Sequence, residues 1–571
     1  MDVVVDRSTD LSQPLDQLGP DERLKADSDQ LRGSINRSLL DELTWAVRPN
    51  DTKLLKFQGI YQQDDRDVRD ERRRQRLEPA YQFMARVRLP GGVCTPEQWL
   101  KIDSLARQHG GNTLRLTSRQ TFQFHWLLKH SLRPTIQGLH EVLLDTVAAC
   151  GDDSRGVMCS VNPQLSAVHA ELAAIAKQCS DRAVPRMRAY HEIWYGEQRV
   201  AGSEPEEPFY GATYLPRKFK IGFALPPDND IDVYTQDLGF IAIAEAGELV
   251  GFNVAIGGGM GRTDRVETTY PRLADVIGYI PKDAAFATAE AVMSVQRDYG
   301  NRVDRARARF KYTIDDKGLD WIKAEIERRL GFAFEDARPF ALVTNGDALG
   351  WSAGEDGRHH YTVFVQNGRL GGEDMRAMDG LRAIAEVHGG SFRLTPNQNV
   401  IIADITQAAR ETIAKLLADY GLDDEAGVSV LRRNSIACVA FPTCGLAMAE
   451  SERYLPRLID RLEPMLAQHG LADEPMTVRM SGCPNGCSRP YVAEIALTGR
   501  APGKYNVYAG GGFHGERLNR LWLENVGEAE ILKNLDALFA RFARERLPGE
   551  HIGDFFVRVP EPLTDETEVP A

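Results

Sequence analysis

Short apolar runs that end at glycine or at polar turns alternate along this chain with longer stretches of helical periodicity. Residues 86–92 (RVRLPGG), 113–128 and 362–370 have the composition and the turn-forming ends that predict strands. Residues 97–111 repeat apolar positions at helical spacing and end at two glycines, which predicts a helix. The segment 529–546 predicts an amphipathic surface helix. Its apolar face is formed by Ile531, Leu535, Leu538 and Phe542.

The two halves of the chain resemble each other at three places, in the same order. The matched segments are 109–124 with 388–402, 155–163 with 434–442, and 252–262 with 505–517. Three ordered matches are hard to obtain by chance, so we predict a duplicated unit. Each copy would contain an α+β half-domain followed by a second module. Two similar units usually pack about a pseudo-twofold axis, and a ligand at their junction would touch both.

Composition and charge favour an ordinary soluble protein. The chain has 571 residues, enough for roughly three to four domain-sized units. Its net charge of −13 argues against a non-specific nucleic-acid or anionic-membrane binder. The N-terminus lacks the basic and apolar regions of a secretory signal, and the apolar stretches are too short for a membrane span. We therefore expect a cytoplasmic protein whose cysteines stay reduced.

Half of the eight cysteines are grouped in the second repeat. They form a C-x5-C motif and a C-x3-C motif, whereas Cys94, Cys150, Cys159 and Cys179 are scattered. A disulfide, a zinc site, a redox thiol pair and a metal cluster are the competing explanations. A disulfide is disfavoured in a reducing compartment, C-x5-C fits structural zinc poorly, and a C-x-x-C motif is absent from the sequence. An iron–sulfur cluster held by four thiolates fits the pattern best.

Three pairs of basic residues lie two or four positions apart in the first repeat. They are Arg86 with Arg88, Arg115 with Arg119, and Lys218 with Lys220. In a strand, even spacing places both members of a pair on one face. For a single pair, a solvated face is the simpler interpretation. Together, at the junction of the repeats, they predict a cationic cavity suited to a small oxyanion or a carboxylate-rich cofactor.

Other motifs are less specific. The glycine run 257–261 lacks the G-x-G-x-x-G spacing, and the run 510–515 lacks its strand–helix context. We interpret both as tight turns or as close backbone approaches to a flat cofactor. The mixed-charge run 64–76 predicts a solvated helix or a structural role in an N-terminal arm. His125 either reaches the cationic cavity or is a satisfied core histidine.

Several longer motifs resemble the sulfite and nitrite reductases that couple siroheme to a 4Fe-4S cluster. The most specific are CVAFPTCGLAMAESER at 438–453 and GCPNGC at 482–487. Further matches lie at 56–67 (KFQGIYQQDDRD), 86–93, 115–125, 214–220 and 242–253. They cover nearly the whole chain. Within the family, the resemblance is closest to the haemoprotein subunits of the NADPH-dependent assimilatory enzymes.

The resemblance implies an α+β, internally duplicated fold. Ferredoxin-like half-domains and two larger siroheme and cluster modules would be arranged around a pseudo-twofold axis. The expected units are an N-terminal arm (1–80), a first half-domain (81–148), a first siroheme and substrate module (149–345), a second half-domain (346–422) and a cluster and siroheme module (423–571).

The resemblance also implies functional residues. The cluster ligands would be Cys438, Cys444, Cys483 and Cys487, and Cys487 would also bind the siroheme iron. The sulfite-binding cations would be Arg86, Arg155, Lys218 and Lys220. Siroheme contacts would involve Arg115, Arg119, Gln123, His125 and Asn485. Gly445 and Ser488 stand where relatives often have proline and glycine, but they flank ligands without replacing one.

The implied activity is the six-electron reduction of sulfite to sulfide, in assimilatory sulfate reduction and cysteine biosynthesis. Nitrite-preferring relatives tend to have asparagine at the position of Lys220, so this lysine favours sulfite. Nitrite reduction and a non-catalytic, zinc- or cluster-stabilised protein are the alternatives. We recognise no flavin or NADPH module in the sequence. We therefore expect a diflavin, NADPH-dependent flavoprotein as electron donor, with ferredoxin as the alternative, and no nucleic-acid or membrane partner.

Overall fold

In the part of the chain that the structure describes, four five-stranded sheets form the framework. The computed structural model describes residues 15–160, 166–185, 192–195, 198–202 and 207–559. The beginning of the predicted arm (1–14) and the end of the predicted cluster module (560–571) lie outside these residues. Within the described ranges, no helix combines the length and the apolar character that crossing a membrane requires.

The sheet of the first half-domain carries two helices. In spatial order its strands are β1 (Ile60–Asp64), β2 (Tyr81–Arg86), β5 (Phe122–Leu127), β4 (Thr113–Leu116) and β15 (Arg369–Gly371). The helices are α5 (Pro96–His109) and α6 (Leu132–Glu141). The strand β1 comes from the segment predicted as an arm, so this segment contributes the edge strand of the sheet.

Local sequence explains how α5 begins and how the hairpin after it turns. The Thr95 hydroxyl accepts the Gln98 backbone N–H, and the Gln98 side chain accepts the Thr95 N–H, which is a capping box. The helix predicted over 97–111 is confirmed. The strand predicted over 113–128 is two strands, because the chain turns at Gln120, whose φ is 53°.

The sheet of the second half-domain has the same construction. Its strands, in spatial order, are β13 (Gly350–Ala353), β14 (His359–Val363), β17 (Val400–Ile405), β16 (Ser391–Leu394) and β3 (Val93–Cys94). Its helices are α11 (Arg376–Val387) and α12 (Arg410–Asp419). The single strand predicted over 362–370 is wrong, because β14 and β15 belong to different sheets.

The two half-domains exchange one strand each. The strand β15 crosses to the first half-domain and pairs antiparallel with β4, where Leu370 lies opposite Leu114. Reciprocally, β3 crosses to the second half-domain and pairs with β16, where Cys94 lies opposite Phe392. All four residues belong to one buried apolar cluster. The half-domains therefore share a single core.

The two larger modules contain sheets of identical topology. The first is β12 (Asp275–Pro281), β11 (Glu248–Ile256), β10 (Leu238–Glu245), β9 (Ile221–Ala224) and β6 (Met158–Cys159). The second is β18 (Ser435–Ala437), β19 (Val478–Ser481), β20 (Ile495–Ala501), β21 (Lys504–Ala509) and β22 (Arg520–Val526). In each sheet two parallel pairings precede two antiparallel pairings along the chain. The equal order and polarity confirm the predicted duplication.

Helices cover both modules. The first module has α7 (Ala167–Arg182), α8 (Ala285–Tyr299), α9 (Phe310–Lys317) and α10 (Leu319–Leu330), with a hairpin of β7 (Glu192–Tyr195) and β8 (Gln198–Gly202). The second has α13 (Val430–Arg433), α14 (Leu455–Gln468), α15 (Glu528–Glu545) and α16 (Ile552–Arg558). The predicted amphipathic helix is confirmed, since α15 buries all four of its predicted apolar residues.

The N-terminal segment packs on the first module. It contains α1 (Pro20–Ala26), α2 (Ile35–Leu40), α3 (Pro49–Leu54) and α4 (Arg69–Arg74). Buried Lys25 donates to the Leu215 carbonyl (2.9 Å) and pairs with Glu22 (2.6 Å), which also pairs with Arg302. Because these charges are buried, removing one partner would leave an uncompensated charge in the interior.

Candidate functional site

The grouped cysteines lie on loops at one edge of the second module's sheet. Cys438 directly follows β18 and lies with Cys444 on the first cysteine loop. Cys483 and Cys487 follow β19, the parallel neighbour of β18, and lie on the second cysteine loop. Parallel neighbours end at the same edge, so their loops meet. The Gly482 backbone N–H donates to the Cys438 Sγ (3.2 Å), and the Cys438 N–H donates to the Met480 carbonyl (3.1 Å).

The four thiols of this group influence one another electrostatically. Burial is the main cause that raises the pKa of Cys438 and of Cys444, the latter to about 12, and Cys487 raises both further. Burial, Cys487 and Cys438 raise the pKa of Cys483 in the same way. Ionising these thiols together requires nearby positive charge, which iron ions would supply.

The thiols do not converge on one point. Within the described part of the chain, no three His, Cys, Asp or Glu side chains are placed to hold a single metal ion. The ligands of a cluster bind different irons, so they surround the cluster instead of meeting at one atom. The two cysteine loops follow parallel neighbouring strands and their thiols influence one another, and these two features fit a cluster.

Arg86 and Arg155 share a backbone acceptor on the first repeat's side of the site. The Ala149 carbonyl accepts from Nη1 of Arg86 (3.3 Å) and from Nη1 of Arg155 (3.1 Å). Nη1 of Arg86 also contacts the Cys150 Sγ at 2.9 Å. Gln123 on β5 lies opposite Arg86 on β2. In the amide orientation that satisfies both groups, the Gln123 side-chain oxygen accepts a hydrogen bond from Arg86 Nε at 3.1 Å. The structure therefore brings Arg86, Gln123 and Arg155 together.

Lys218 and Lys220 flank the buried Phe219 just before β9. The Phe219 N–H donates to the Asp153 carbonyl (2.9 Å), and its carbonyl accepts from the Arg155 N–H (2.8 Å). Residues two apart in such an extended segment lie on the same face. Burial lowers the pKa of both lysines well below 10.5. Lys220 and Arg155 lower the pKa of Lys218 further.

Lys220 links the cations to the cysteine loops. After burial, Arg119 and Arg309 are the largest causes of its lowered pKa, whereas Asp237 and Cys487 oppose them. Arg309 Nη2 lies 3.1 Å from both carboxylate oxygens of Asp237. Cations of the first repeat and Cys487 of the second repeat therefore border the same space.

Arg115 on β4 and His125 on β5 belong to the sheet of the first half-domain, and His125 lies near Arg115 and Arg86. Arg115 donates to the Ala437 carbonyl (2.8 Å), and burial lowers its pKa to about 10 against the opposing effect of Cys438. His125 is 1% exposed, and neither ring nitrogen has a hydrogen-bond partner among the described residues. Burial and the cations Arg369 and Arg115 hold its pKa well below 6.5. A neutral, unpartnered imidazole here fits a site whose ligand provides the missing partner.

Arg119 reaches the site from a turn. It lies beyond Leu116, where β4 ends, so it does not share a strand face with Arg115 as the spacing predicted. Its guanidinium donates to Gln236 Oε1 (2.9 Å) and to the Gly156 carbonyl (2.7 Å). Burial lowers its pKa to about 9, and nearby arginines add to this effect.

The glycine run 257–261 packs against the second cysteine loop. A Cβ on Gly261 would lie 3.2 Å from the Asn485 carbonyl oxygen, and one on Gly258 only 2.2 Å from the Tyr234 carbonyl oxygen. The Asn485 side chain contacts the Cys483 Sγ at 3.5 Å. The run thus allows a close backbone approach between the two repeats, next to Asn485.

Sequence reasoning missed Arg66, which ties the N-terminal segment to the first cysteine loop. Its N–H donates to the Pro442 carbonyl (3.1 Å), and its Nη1 donates to the carbonyls of Cys444 (3.2 Å) and Ala447 (2.7 Å). Its guanidinium also lies 4.5 Å from the centre of the Phe441 ring. The mixed-charge run that contains Arg66 was a visible signal, but its composition predicted only a solvated helix or a structural role in the arm, and it did not identify this contact.

A buried ion-pair cluster joins the repeats, and it was also missed. Asp232 of the first module pairs with Arg479 (2.6 Å) and with Arg489, both of the second module. Burial would raise the pKa of Asp232, but the two guanidiniums hold it below 3.8. Arg489 also donates to the Ser118 carbonyl (2.6 Å), and the Ser118 hydroxyl donates to the Cys487 carbonyl (3.0 Å). The cluster therefore fixes the position of the Cys487 loop.

Comparison with known proteins accounts for this arrangement. The family model described as nitrite/sulfite reductase ferredoxin-like half domain matches residues 74–142 and 352–420, and the one described as nitrite and sulphite reductase 4Fe-4S domain matches 176–334. A protein of Nitrobacter hamburgensis named sulfite reductase (NADPH) hemoprotein beta-component is 68% identical over 97% of this chain and 96% of its own length. The chain belongs to the nitrite and sulfite reductase family. A Bordetella petrii protein of the same name is 70% identical over 96% of this chain and 94% of its own.

A solved structure supports the fold. The Mycobacterium tuberculosis NirA protein superposes with a TM-score of 0.77 and 24% sequence identity, covering 97% of this chain and 98% of its own. The predicted α+β fold with two ferredoxin-like half-domains is confirmed by this similarity and by the repeated half-domain match.

Family membership also confirms the predicted cofactors, since this family binds siroheme and a 4Fe-4S cluster. The 4Fe-4S domain model falls on the first repeat, where the matched range contains only Cys179. The grouped cysteines lie in the second repeat. The match of this family model therefore reflects the duplicated fold, and it does not locate the metal ligands.

Proposed function

We propose that this chain is the haemoprotein component of an assimilatory NADPH-dependent sulfite reductase. It would reduce sulfite to sulfide with six electrons, for cysteine biosynthesis. One observation carries the proposal: cations of the first repeat surround the space that the second cysteine loop borders. They are Arg86, Arg155, Lys218 and Lys220. The names of the relatives agree with this activity.

The cysteines would hold the metal centre. The cluster ligands are Cys438, Cys444, Cys483 and Cys487. Cys487 is the exposed member of this group and interacts with Lys220, so we assign it as the thiolate shared with the siroheme iron. The remaining donors would bind the carboxylates and the edge of siroheme: Arg115, Arg119, Gln123, His125 and Asn485. When bound, siroheme coupled to the cluster would pass the donor's electrons to the substrate and would supply a metal that binds it.

The cations explain a preference for sulfite. Sulfite as a dianion carries more negative charge than nitrite, and a desolvated dianion needs several positive partners. Arg86 and Arg155 are held by the Ala149 carbonyl, so their remaining N–H groups are positioned in advance. Lys220 adds a further positive charge.

The same lysines can supply protons. Reduction of sulfite to hydrosulfide consumes seven protons with the six electrons and releases three waters. Each oxygen must be protonated before it leaves. Because burial and neighbouring cations lower the pKa of Lys218 and Lys220, their Nζ protons are more easily released than those of exposed lysines. We therefore assign both lysines as anchors and as proton donors.

We further propose that the electron donor is a diflavin flavoprotein that oxidises NADPH, since the relatives are named NADPH beta-components. Ferredoxin is the second candidate. A cytoplasmic location agrees with the eight free cysteines, because a reducing compartment preserves them. We expect neither a nucleic acid nor a membrane to be a partner of this protein.

A spectrum and a turnover assay test this function. The purified holoprotein should show the strong Soret and near-red bands of coupled siroheme. Reduced methyl viologen, but not NADPH alone, should drive sulfite reduction. Faster turnover of nitrite than of sulfite would instead favour a nitrite reductase, and turnover with NADPH alone would overturn the need for a partner. A colourless, iron-free protein would reject the function.

A further inference from the structure

Glu452 contacts both the first cysteine loop and Arg115, which we propose as a siroheme contact. The Glu452 N–H donates to the Cys438 carbonyl (3.1 Å), and its own carbonyl accepts from the Asn367 side chain (2.9 Å). Its carboxylate accepts two hydrogen bonds from Arg369 (2.7 and 3.2 Å) and forms an ion pair with Arg115. The Glu452 side chain is 12% exposed. Little solvent therefore screens these charges.

The two arginines that Glu452 joins are neighbours on exchanged strands. Arg369 on β15 lies directly opposite Arg115 on β4. Like charges directly opposite each other destabilise a strand pair. Burial and, to a smaller extent, Arg115 lower the pKa of Arg369 to about 9. Glu452 sits between these like charges and compensates them.

Glu452 and Arg115 both lie close to the backbone of the first cysteine loop. Arg115 Nη2 donates to the carbonyl of Ala437, the residue before Cys438, at 2.8 Å, and the Glu452 N–H donates to the carbonyl of Cys438 itself at 3.1 Å. A change in net charge at Glu452 therefore changes the electrostatic potential at the proposed cluster ligands, both directly and through the orientation of Arg115.

We propose that Glu452 is a positioning residue that orients Arg115 and lowers the reduction potential of the cluster. The proposal rests on the function and the ligands proposed above. Reduction adds negative charge to the cluster, which a nearby carboxylate disfavours and a nearby arginine favours. Glu452 thus offsets the effect of the two arginines.

The test is an EPR-monitored redox titration of the holoprotein. Glu452→Gln keeps the size and hydrogen-bonding ability of the side chain but removes its charge. We expect the cluster midpoint potential to rise. Glu450→Gln is the matched control, because that carboxylate pairs with Arg453 and is 27% exposed. It should leave the potential at the wild-type value.

A second variant tests the proposal even if Glu452→Gln incorporates its cofactors poorly. Arg369→Gln removes a positive charge and should lower the potential. The double variant should lie between the two single variants. An unchanged potential in Glu452→Gln with intact siroheme bands would overturn the proposal, and so would an unchanged or raised potential in Arg369→Gln. Wild-type protein without cluster or siroheme would instead reject the proposed function.

Discussion

One buried carboxylate of this protein obtains its charged partners from a distant part of the chain. Asp232 is held by Arg479 and Arg489 across the boundary between repeats. Lys218 and Lys220, in contrast, are surrounded mainly by other cations. Asp232 is compensated within the protein, whereas we propose that the two lysines bind an anionic ligand. We therefore expect Asp232 to contribute to stability and the two lysines to contribute to ligand binding.

Replacing Lys220 tests the functional group. Lys220→Met removes the positive charge but retains an apolar stem, so we expect sulfite turnover to fall by at least about 10²-fold with near-normal siroheme content. Methyl-viologen-driven turnover and the Soret absorbance per protein measure the two quantities. Lys504→Met, at an exposed lysine, should change neither. Equal losses of turnover and siroheme would contradict the assigned role.

The lowered lysine pKa values predict a pH dependence. A lysine loses its positive charge as the pH rises through its pKa, and for Lys218 and Lys220 this happens well below 10.5. We expect the KM for sulfite to rise with pH, by up to about tenfold per pH unit above the governing pKa. Lys220→Arg should move the rise to higher pH, because arginine stays protonated. A KM independent of pH in the wild type would exclude this explanation.

Replacing Asp232 tests the stabilising group. Asp232→Asn leaves two buried guanidiniums without a carboxylate and should lower the free energy of unfolding by about 3–5 kcal/mol at neutral pH. Because the folded pKa lies below 3.8, the contribution is present above that pH and is lost as the pH falls through the folded pKa. Urea denaturation measures it, with exposed Asp356→Asn as control. Equal effects of the two substitutions would show that the pairs contribute little.

At the scale of elements, the exchange of β3 and β15 depends on two glycines in equivalent positions. Gly92 and Gly368 have φ values of 74° and 72°. A Cβ on Gly92 would lie 2.6 Å from the Leu394 carbonyl oxygen, and one on Gly368 would lie 2.2 Å from the Leu116 carbonyl oxygen. Each glycine therefore lets one half-domain approach the backbone of the other.

Alanine at Gly368 should disturb this approach. Gly357 has a similar φ of 77° but open space around it, so Gly357→Ala measures the backbone strain alone, about 1–2 kcal/mol. Gly368→Ala should cost at least about 2 kcal/mol more, since the backbone must move. Urea denaturation of both variants gives the comparison. Equal losses of unfolding free energy in the two variants would mean that the backbone at the junction of the half-domains can move at little cost.

At the scale of the whole molecule, the two repeats depend on each other. The half-domains share one apolar core, and the site has cations from the first repeat and cysteines from the second. Neither repeat alone contains all the residues of the proposed site.

Separating the repeats tests this dependence. A chain cut after residue 345 removes β15 from β4 and leaves β3 without β16, which exposes unpaired strand edges. We expect the fragments 1–345 and 346–571 to aggregate when expressed alone, and to bind siroheme only when co-expressed. Size-exclusion chromatography and the Soret absorbance report both outcomes. A monomeric 1–345 fragment that unfolds cooperatively would show that one repeat is self-sufficient.

Much of the fold follows from patterns along the chain. Apolar periodicity predicts α5 and α15, the three repeated segments predict the duplication, and the motifs at 438–453 and 482–487 indicate the family. The exchange of strands was not predicted, because 362–370 looks like one strand. Nothing local shows that its two ends enter different sheets.

The candidate site divides in the same way. Cysteine spacing and basic residue types are properties of neighbouring positions, so the sequence was sufficient to nominate Cys483, Cys487 and Lys220. The roles of Arg66, Asp232 and Glu452 became visible only in three dimensions, where partners remote along the chain meet. The reason is physical: ion pairs and pKa shifts depend on distance and burial, and a one-dimensional pattern specifies neither.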